Sequence, residues 1–462
     1  MEPLPLSQIA EFAKASITSG NRDAIISRIS TDSRTIQPGD LFVPIRGENF
    51  DGHRFVEQTV ERGAIGALVE KEWSGKVPSS FALVRVPDTL VGYQNIAASY
   101  RQSLPLKVIA ITGSNGKTST KDFLAAALGR RFRVTKTEGN FNNHVGLPRT
   151  ILEANREHEI AVWELGMNHP GEIALLARIA APDLGIITNI GVAHIEFMGS
   201  REAIAEEKGA LADAVGIGGT VILNADDPFT ESIAKRTSAK IIFAGINSGS
   251  VRAEDISQSS SGSEFTILEG AHRCRAKLPV PGLHMVQNAI LAVAASRVFG
   301  LSIEDAAAGL ASTPLTKARL QIREIQGVQF LDDSYNANPE SMKAALRTLV
   351  ELEADGKRIA VLGHMGELGD ETERGHAEVG EVAAALGIDQ LITIGDFGAK
   401  ISDAAKAAGL ADATNVASSE NAAELLAETA AAGDLVLVKG SRSARTERVL
   451  EAFSHQAIGV AR

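Results

Sequence analysis

One cysteine, Cys274, in 462 residues excludes an intramolecular disulfide and any multi-cysteine zinc or iron–sulfur centre. Aromatic residues are scarce as well: 16 Phe, 3 Tyr and 2 Trp are too few to expect a base-stacking platform. Positive charge is in deficit, with 46 Lys and Arg against 57 Asp and Glu for a net of −11. These charges are scattered, which argues against nucleic acid as a partner. No apolar stretch approaches the roughly 18–20 residues of a membrane helix, so no membrane insertion is expected. The opening Met-Glu-Pro-Leu-Pro-Leu lacks a basic segment followed by an apolar run, and no signal peptide is visible. What is present is an ordinary globular mixture, 44% hydrophobic and 22% charged. At roughly 150 residues per domain, the length suggests about three domains in a cytoplasmic protein.

The pattern along the chain is α/β. Residues 1–103 read as a small mixed N-terminal domain, with strand-like pieces at 41–44, 67–69 and 83–86 and helical patterns at 55–62 and 93–100. The polar loop 46–53, with two glycines, suits a ligand as well as it suits a plain surface turn. From residue 104 to 313, apolar runs at 107–112, 160–163, 184–188, 220–223 and 240–243 alternate with helical patterns. That alternation predicts a parallel sheet with helices on both faces. The Ser/Gly-rich stretch 257–264 reads as a loop, and 265–278 as an antiparallel extension; helices are expected at 285–299 and 303–311. Residues 314–462 repeat the α/β alternation as a C-terminal Rossmann-like domain, with strands at 328–331, 358–362, 390–394 and 434–438 and helices including 377–386 and 421–432.

The strongest local signal is Ile111-Thr-Gly-Ser-Asn-Gly-Lys-Thr118, which follows a strand and opens a helix. Glycines allow backbone N–H groups to close around phosphate oxygens, and the helix N-terminus adds partial positive charge. Lys117 would reach the β- and γ-phosphates of ATP, and the Thr118 hydroxyl would complete a Mg²⁺ shell. The motif is not a full Walker A, because Ile111 stands where its first glycine belongs. It makes the central domain a P-loop ATPase domain but does not separate a ligase from a kinase or a nucleotide-driven switch.

Glu164 and His194 each follow a strand, at the carboxyl ends where open α/β sheets collect ligands. Both are candidate Mg²⁺ ligands, and each also suits a capping role. Ile204-Ala-Glu-Glu-Lys208 reads, on charge alone, as a solvated helix face. Asn224-Ala-Asp-Asp-Pro228 divides evenly between turn and function. Asp332-Asp-Ser-Tyr-Asn-Ala-Asn-Pro339 crowds polar groups after a strand start, as a binding loop does.

Taken together, these residues resemble the Mur ligase family of ATP-dependent amide-forming enzymes. The matches run in order through Thr31-Asp-Ser-Arg34, residues 112–118, Glu164, His194, Lys208, residues 284–288, Arg319, Asp333 and Lys439-Gly-Ser-Arg442. Three motifs, Gly139-Asn-Phe-Asn-Asn143, ELGMNHPGE at 164–172 and DDSYNANP at 332–339, point within the family to D-alanyl-D-alanine as acceptor and UDP-N-acetylmuramoyl-tripeptide as the activated partner. The resemblance implies that a carboxylate attacks the γ-phosphate with loss of ADP, and that an amine then attacks the resulting acyl phosphate and displaces inorganic phosphate. It implies catalytic roles for Lys117, His194, Lys208 and Arg319, and nucleotide contacts from Gly113, Ser114, Asn115, Gly116, Lys117, Thr118, Ser119, Asn288, Arg319 and Asp333. Thr118, Glu164, His194 and Lys208, the last as a carbamate, would serve Mg²⁺. Ser33, Arg34, Gly47 and Asn49 would meet the uridine end, Asn142 and Asn143 the linked peptide, and Tyr335, Asn336 and Asn338 the dipeptide. A monomer is expected. Two positions depart from the family pattern: His364 stands where aspartate is usual, and Thr446 where methionine is. A Mur-type ligase using another amine, and a P-loop ATPase switch, remain as alternatives.

Overall fold

A computed structural model describes residues 1–47 and 49–456. Glu48, inside the polar loop 46–53, and residues 457–462, at the end of the expected third domain, lie outside the described residues. The chain divides into two compact units.

The first unit comprises Met1–Ala110, Phe132–Gly166 and Gly171–Leu184. Its five-stranded sheet has the order Ser16–Ser19, Ala82–Val86, Gly66–Glu70, Leu41–Phe42, Ile29–Ser30. Only the first pairing is antiparallel. The strand expected over 41–44 stops at Phe42, before Pro44, which has no N–H for a ladder. Phe42, Val56, Ala67, Val69, Phe81 and Leu83 form the core beneath this sheet. The helix Thr89–Ser103 is capped by Asp88, whose side chain accepts Val91 N–H. Tyr100 donates its hydroxyl to Ala154 O at 2.7 Å, and Arg101 Nε donates to Ala180 O at 3.0 Å. Those bonds fasten it to the ends of the helices Gly146–Glu153 and Glu172–Ala180. The parallel strands Val134–Lys136 and Ile160–Glu164 also lie in this unit.

The second unit comprises Ile111–Arg131, Met167–Pro170 and the chain from Gly185 onward. Thr220–Asn224, Lys240–Gly245 and Val251–Ser259 are parallel neighbours; the first is buried throughout, whereas Phe243 in the second is exposed. The expected loop 257–264 is instead a hairpin: Val251–Ser259 pairs antiparallel with Gly262–Glu269, which pairs with His272–Leu278. A ladder is made by the backbone, so serine content does not forbid it. Asp255, at φ +51°, takes up the bulge between Glu254 and Ser257.

The unit's six-stranded sheet runs Gln321–Ile325, Val328–Asp333, Leu435–Lys439, Arg358–Leu362, Gln390–Ile394, Ala413–Val416. All neighbours are parallel except the first pair, an edge hairpin. Its helices lie between strands as in a doubly wound fold, and Phe330, Val361, Ile392, Leu426, Val438 and Phe453 pack at its centre. The helix Arg201–Ala214 is not the solvated element its charges suggest. Ile204, Lys208, Leu211 and Ala212 recur at helical spacing and are all buried.

Candidate active site

The strand Lys107–Thr112 runs into Gly113, and Gly116 precedes the helix Lys117–Leu128. Both glycines are required by space and conformation. At Gly113 (φ +149°) a Cβ would stand 1.8 Å from Thr188 Oγ1, and at Gly116 (φ +79°) it would stand 2.2 Å from Asn288 Oδ1. The loop between them is pinned by the segment that follows the strand Leu184–Ile187. Ser114 N–H donates to Asn189 O and Asn115 N–H to Asn189 Oδ1, both at 2.9 Å. Gly191 N–H donates to Ser114 Oγ at 2.8 Å, while Thr188 Oγ1 donates to Asn115 O at 2.5 Å. The result is a preset backbone cradle opening on the N-terminus of a 12-residue helix, which suits an anion. Lys117 Nζ donates to Gly113 O at 2.7 Å, so its charge is held against the cradle.

Residues from the last third of the chain meet this loop within the same unit. Arg319 Nη2 donates to Thr118 Oγ1 at 3.0 Å, and the guanidinium lies over the Tyr335 ring, 4.3 Å from its centroid. Asn338 Nδ2 donates to Asn115 Oδ1 at 2.8 Å. Glu340 Oε1 accepts Val192 N–H at 3.0 Å. His194, left-handed at φ +64°, has Nδ1 2.5 Å from Glu367 Oε2. That hydrogen bond, more than anything else around it, holds the Glu367 carboxyl below its usual range. Lys208 is 1% exposed, and its pKa is pushed well below the lysine value by desolvation first and Lys117 second, against Glu207.

The cradle, the helix end and Lys117 fit a polyphosphate. Among the described residues no three His, Cys, Asp or Glu side chains gather as a metal cage. The hard oxygen of Thr118 at the cradle fits a Mg²⁺ held largely by phosphate oxygens and water, as that ion usually is.

Comparison with known proteins bears on the same residues. Models of the Mur ligase family catalytic domain, the Mur ligase middle domain and the Mur ligase glutamate ligase domain match residues 25–91, 111–296 and 318–442. A UDP-N-acetylmuramoyl-tripeptide–D-alanyl-D-alanine ligase of Bacillus subtilis (strain 168) is 40% identical over 452 residues, 96% of this chain and 97% of that one. The chain belongs to the Mur ligase family. A crystal structure of MurF from Acinetobacter baumannii superposes with a TM-score of 0.90 at 33% identity, over 99% of this chain and 100% of that one. A MurF ligase from Thermotoga maritima in complex with ADP gives a TM-score of 0.83 at 29% identity, over 92% of this chain and 97% of that one.

The other residues expected from the Mur ligase resemblance fall as follows. In the first unit, Glu164 ends its strand, 1% exposed; its N–H donates to Thr137 Oγ1 at 2.9 Å and Asn142 Nδ2 donates to its Oε2 at 3.4 Å. Asn143 Oδ1 accepts the N–H groups of Val145 and Gly146 at 3.1 and 2.8 Å, so this oxygen shapes the helix start. Arg34 is gripped by Asp32, whose carboxyl is lowered to about 2 chiefly by hydrogen bonds from the Arg34 side chain and backbone. Ser33 lies in the same 3₁₀ turn, and Gly47 and Asn49 lie at an exposed hairpin of Arg46–Gly47 with Phe50–Asp51. In the second unit, Ser119 and Asn288 are buried beside the loop, and Asp333 takes a 2.5 Å ion pair from Lys439. Lys439 Nζ also donates to Asn336 O at 2.9 Å.

Asn338 is committed on both sides of its amide. It caps the helix Pro339–Glu351, its Oδ1 accepting Ser341 N–H at 2.9 Å, and it donates to the phosphate loop. Of the two departures from the family pattern, His364 finds a local partner, while Thr446 leaves a buried hydroxyl with no hydrogen-bond partner among the described residues. His364 Nε2 is 2.9 Å from Ser443 Oγ, with burial lowering the imidazole pKa. Thr446 is buried where a Cβ at Gly363 or Gly440 would come within 2.7 or 2.6 Å of its methyl group.

Several working residues carried no clear signal in the sequence. Asn189 orders the loop, Asp227 Oδ2 accepts Ile190 N–H at 2.7 Å, and Asn224 Nδ2 donates to Thr188 O at 2.9 Å. The segment 224–228 is therefore a brace for the 188–190 loop. Its position after a strand left turn and function evenly divided.

Proposed function

We propose that this chain joins D-alanyl-D-alanine to UDP-N-acetylmuramoyl-tripeptide at the expense of ATP in peptidoglycan precursor synthesis, releasing ADP and phosphate, as a cytoplasmic monomer. The observation that carries the proposal is the convergence of Arg319, Tyr335 and Asn338 on the phosphate loop, in a chain similar over nearly its whole length to ligases of that name. ATP lies with its phosphates in the 113–119 cradle, with Asn288 and Asp333 toward the nucleoside. No membrane-crossing helix occurs among the described residues. The boundaries 1–103, 104–313 and 314–462 separate the uridine-binding, ATP-binding and dipeptide-binding domains in this proposal.

The chain's own groups account for the chemistry. Lys117 and Arg319 place fixed positive charge where the γ-phosphate gains negative charge as the tripeptide carboxylate attacks it. The dipeptide amine, oriented by Tyr335, Asn336 and Asn338, then attacks the acyl carbon of the acyl phosphate, and inorganic phosphate leaves as the amide forms. Mg²⁺, when bound, neutralises phosphate charge; Thr118, Glu164, His194 and a carbamate on Lys208 are its proposed ligands. Ser33, Arg34, Gly47 and Asn49 hold the uridine end, and Asn142 and Asn143 face the linked peptide.

Phosphate release from ATP, measured with the UDP-linked tripeptide and a panel of amines, tests the proposal. D-alanyl-D-alanine should be the amine that stimulates release. A diamino acid acting instead would assign another Mur-type acceptor. Turnover indifferent to any amine would indicate a nucleotide switch.

A further inference from the structure

The turn at residues 191–194 carries His194, whose carbonyl accepts the N–H groups of Phe197 and Met198 at 3.1 and 3.2 Å. Gly191 N–H donates to Ser114 Oγ at 2.8 Å, and Ile195 N–H donates to Val192 O at 3.2 Å. A further hold on its backbone comes from the last third of the chain. Glu340, in the first turn of the helix Pro339–Glu351, accepts Val192 N–H at 3.0 Å. Gly191 leaves the room for this approach, since a Cβ there would lie 3.2 Å from the Glu340 carboxyl carbon and 3.3 Å from Ser114 Cβ. Glu340 thus touches the same backbone turn that closes on the phosphate loop. Its second oxygen, Oε2, is buried and has no hydrogen-bond partner among the described residues. A buried carboxylate oxygen left unpaired is costly, and a surface helix needs no such group beyond the general preference for acid at its N-terminus. Asn338, two residues earlier, fixes the helix start against Asn115, so the Glu340 side chain is aimed by its own element.

We propose that Glu340 is a positioning residue: its carboxylate clamps the turn bearing His194 against the phosphate loop when the last domain is seated. The clamp rests on the proposed function for its catalytic consequence, but its geometry stands apart from that reading. A clamp on a main-chain N–H needs an acceptor oxygen and not a charge, so glutamine should serve and alanine should not.

The test uses the full chain with Glu340→Ala and Glu340→Gln. By hydrogen exchange, the peptide spanning Val192 should exchange faster in the alanine variant and at the wild-type rate in the glutamine variant. In amine-dependent phosphate release, alanine should lower kcat and raise the Mg²⁺ needed for half-maximal rate, each by about tenfold, with the KM for D-alanyl-D-alanine unchanged. Glutamine should restore both. Wild-type exchange in the alanine variant, or failure of glutamine to restore it, overturns the clamp. If alanine prevents folding, the wild-type Val192 amide decides, because fast exchange there overturns the proposal and slow exchange supports it. A wild-type chain with no amine-dependent turnover would defeat the functional reading, and the exchange data would still judge the clamp.

Discussion

Lys117 and Lys208 show how the same side chain is put to different uses by burial. Lys117 keeps its ammonium at 2.7 Å from a carbonyl of its own loop, so it needs little rearrangement to meet a phosphate. Replacing it with alanine should leave the thermal melt near that of the parent and remove about 3 kcal/mol of transition-state stabilisation, roughly a hundredfold in turnover. A coupled assay showing near-normal turnover would remove Lys117 from the phosphate grip. Lys208 is the opposite case, a buried amine beside another cation, where desolvation favours the neutral form. A neutral amine can take up CO₂ and become a carbamate, exchanging positive charge for an oxygen donor of the kind Mg²⁺ prefers. Lys208→Ala should therefore be nearly inactive and be partly rescued by acetate or another short carboxylate. Full activity in the unsupplemented variant would return Lys208 to a structural role.

At the scale of elements, the strands that carry the site were readable because buried parallel strands are unbroken apolar runs. Residues 107–112, 358–362 and 390–394 match the strands Lys107–Thr112, Arg358–Leu362 and Gln390–Ile394. The elements that were missed or misread depend on backbone pairing more than on pattern. Gln321–Ile325 is an edge strand whose hairpin turns on Gln326 and Gly327, both at positive φ, and glutamine is a weak signal for that conformation. The adjoining ends of Val251–Ser259 and Gly262–Glu269 were hidden because the Ser/Gly-rich stretch 257–264 reads as a loop. Within the site, the phosphate loop was legible because glycine, lysine and threonine carry their roles in local sequence. Asn189, Glu340 and Glu367 were not, since their partners lie far along the chain and only the fold brings them together. The loop 332–339 offers a test between these two kinds of residue. Asn338 is tied to Ser341 and Asn115, whereas Asn336 commits its backbone carbonyl to Lys439. Asn336→Ala should raise the KM for the dipeptide more than that for ATP. Asn338→Ala should also lower stability, by about 1 kcal/mol for a lost N-cap, which a denaturant titration would read. A rise in the ATP KM alone for Asn336→Ala would move that residue to the nucleotide site.

For the molecule as a whole, the reaction requires that groups far apart in sequence meet around one phosphate and then release product. In the second unit the segment between the central strands and the last sheet is where such motion would be absorbed. Thr316 fixes its start, donating from both N–H and Oγ1 to the buried Asp122 Oδ2 at 3.0 and 2.7 Å. Immediately after it, Ala318 and Leu320 adopt left-handed conformations at φ +59° and +53°, which side chains other than glycine take up at a cost of about 1 kcal/mol or more each. Arg319 between them reaches Thr118, so the strained backbone and the phosphate-loop contact belong to one arrangement. A conformation held against backbone strain by a few polar contacts is suited to exchange with an open one, with residues 313–320 as the hinge. Binding of ATP analogue and UDP-linked tripeptide together should slow hydrogen exchange across 313–320 and at 332–339, and neither ligand alone should give the full effect. Replacing Ala318 with glycine, which relieves the φ strain of this arrangement, should slow exchange across 313–320 without ligand and so shrink the ligand-induced change. Exchange at 313–320 that is the same with both ligands, with one and with none would show that the last domain is permanently seated, and that closure plays no part in assembling this site.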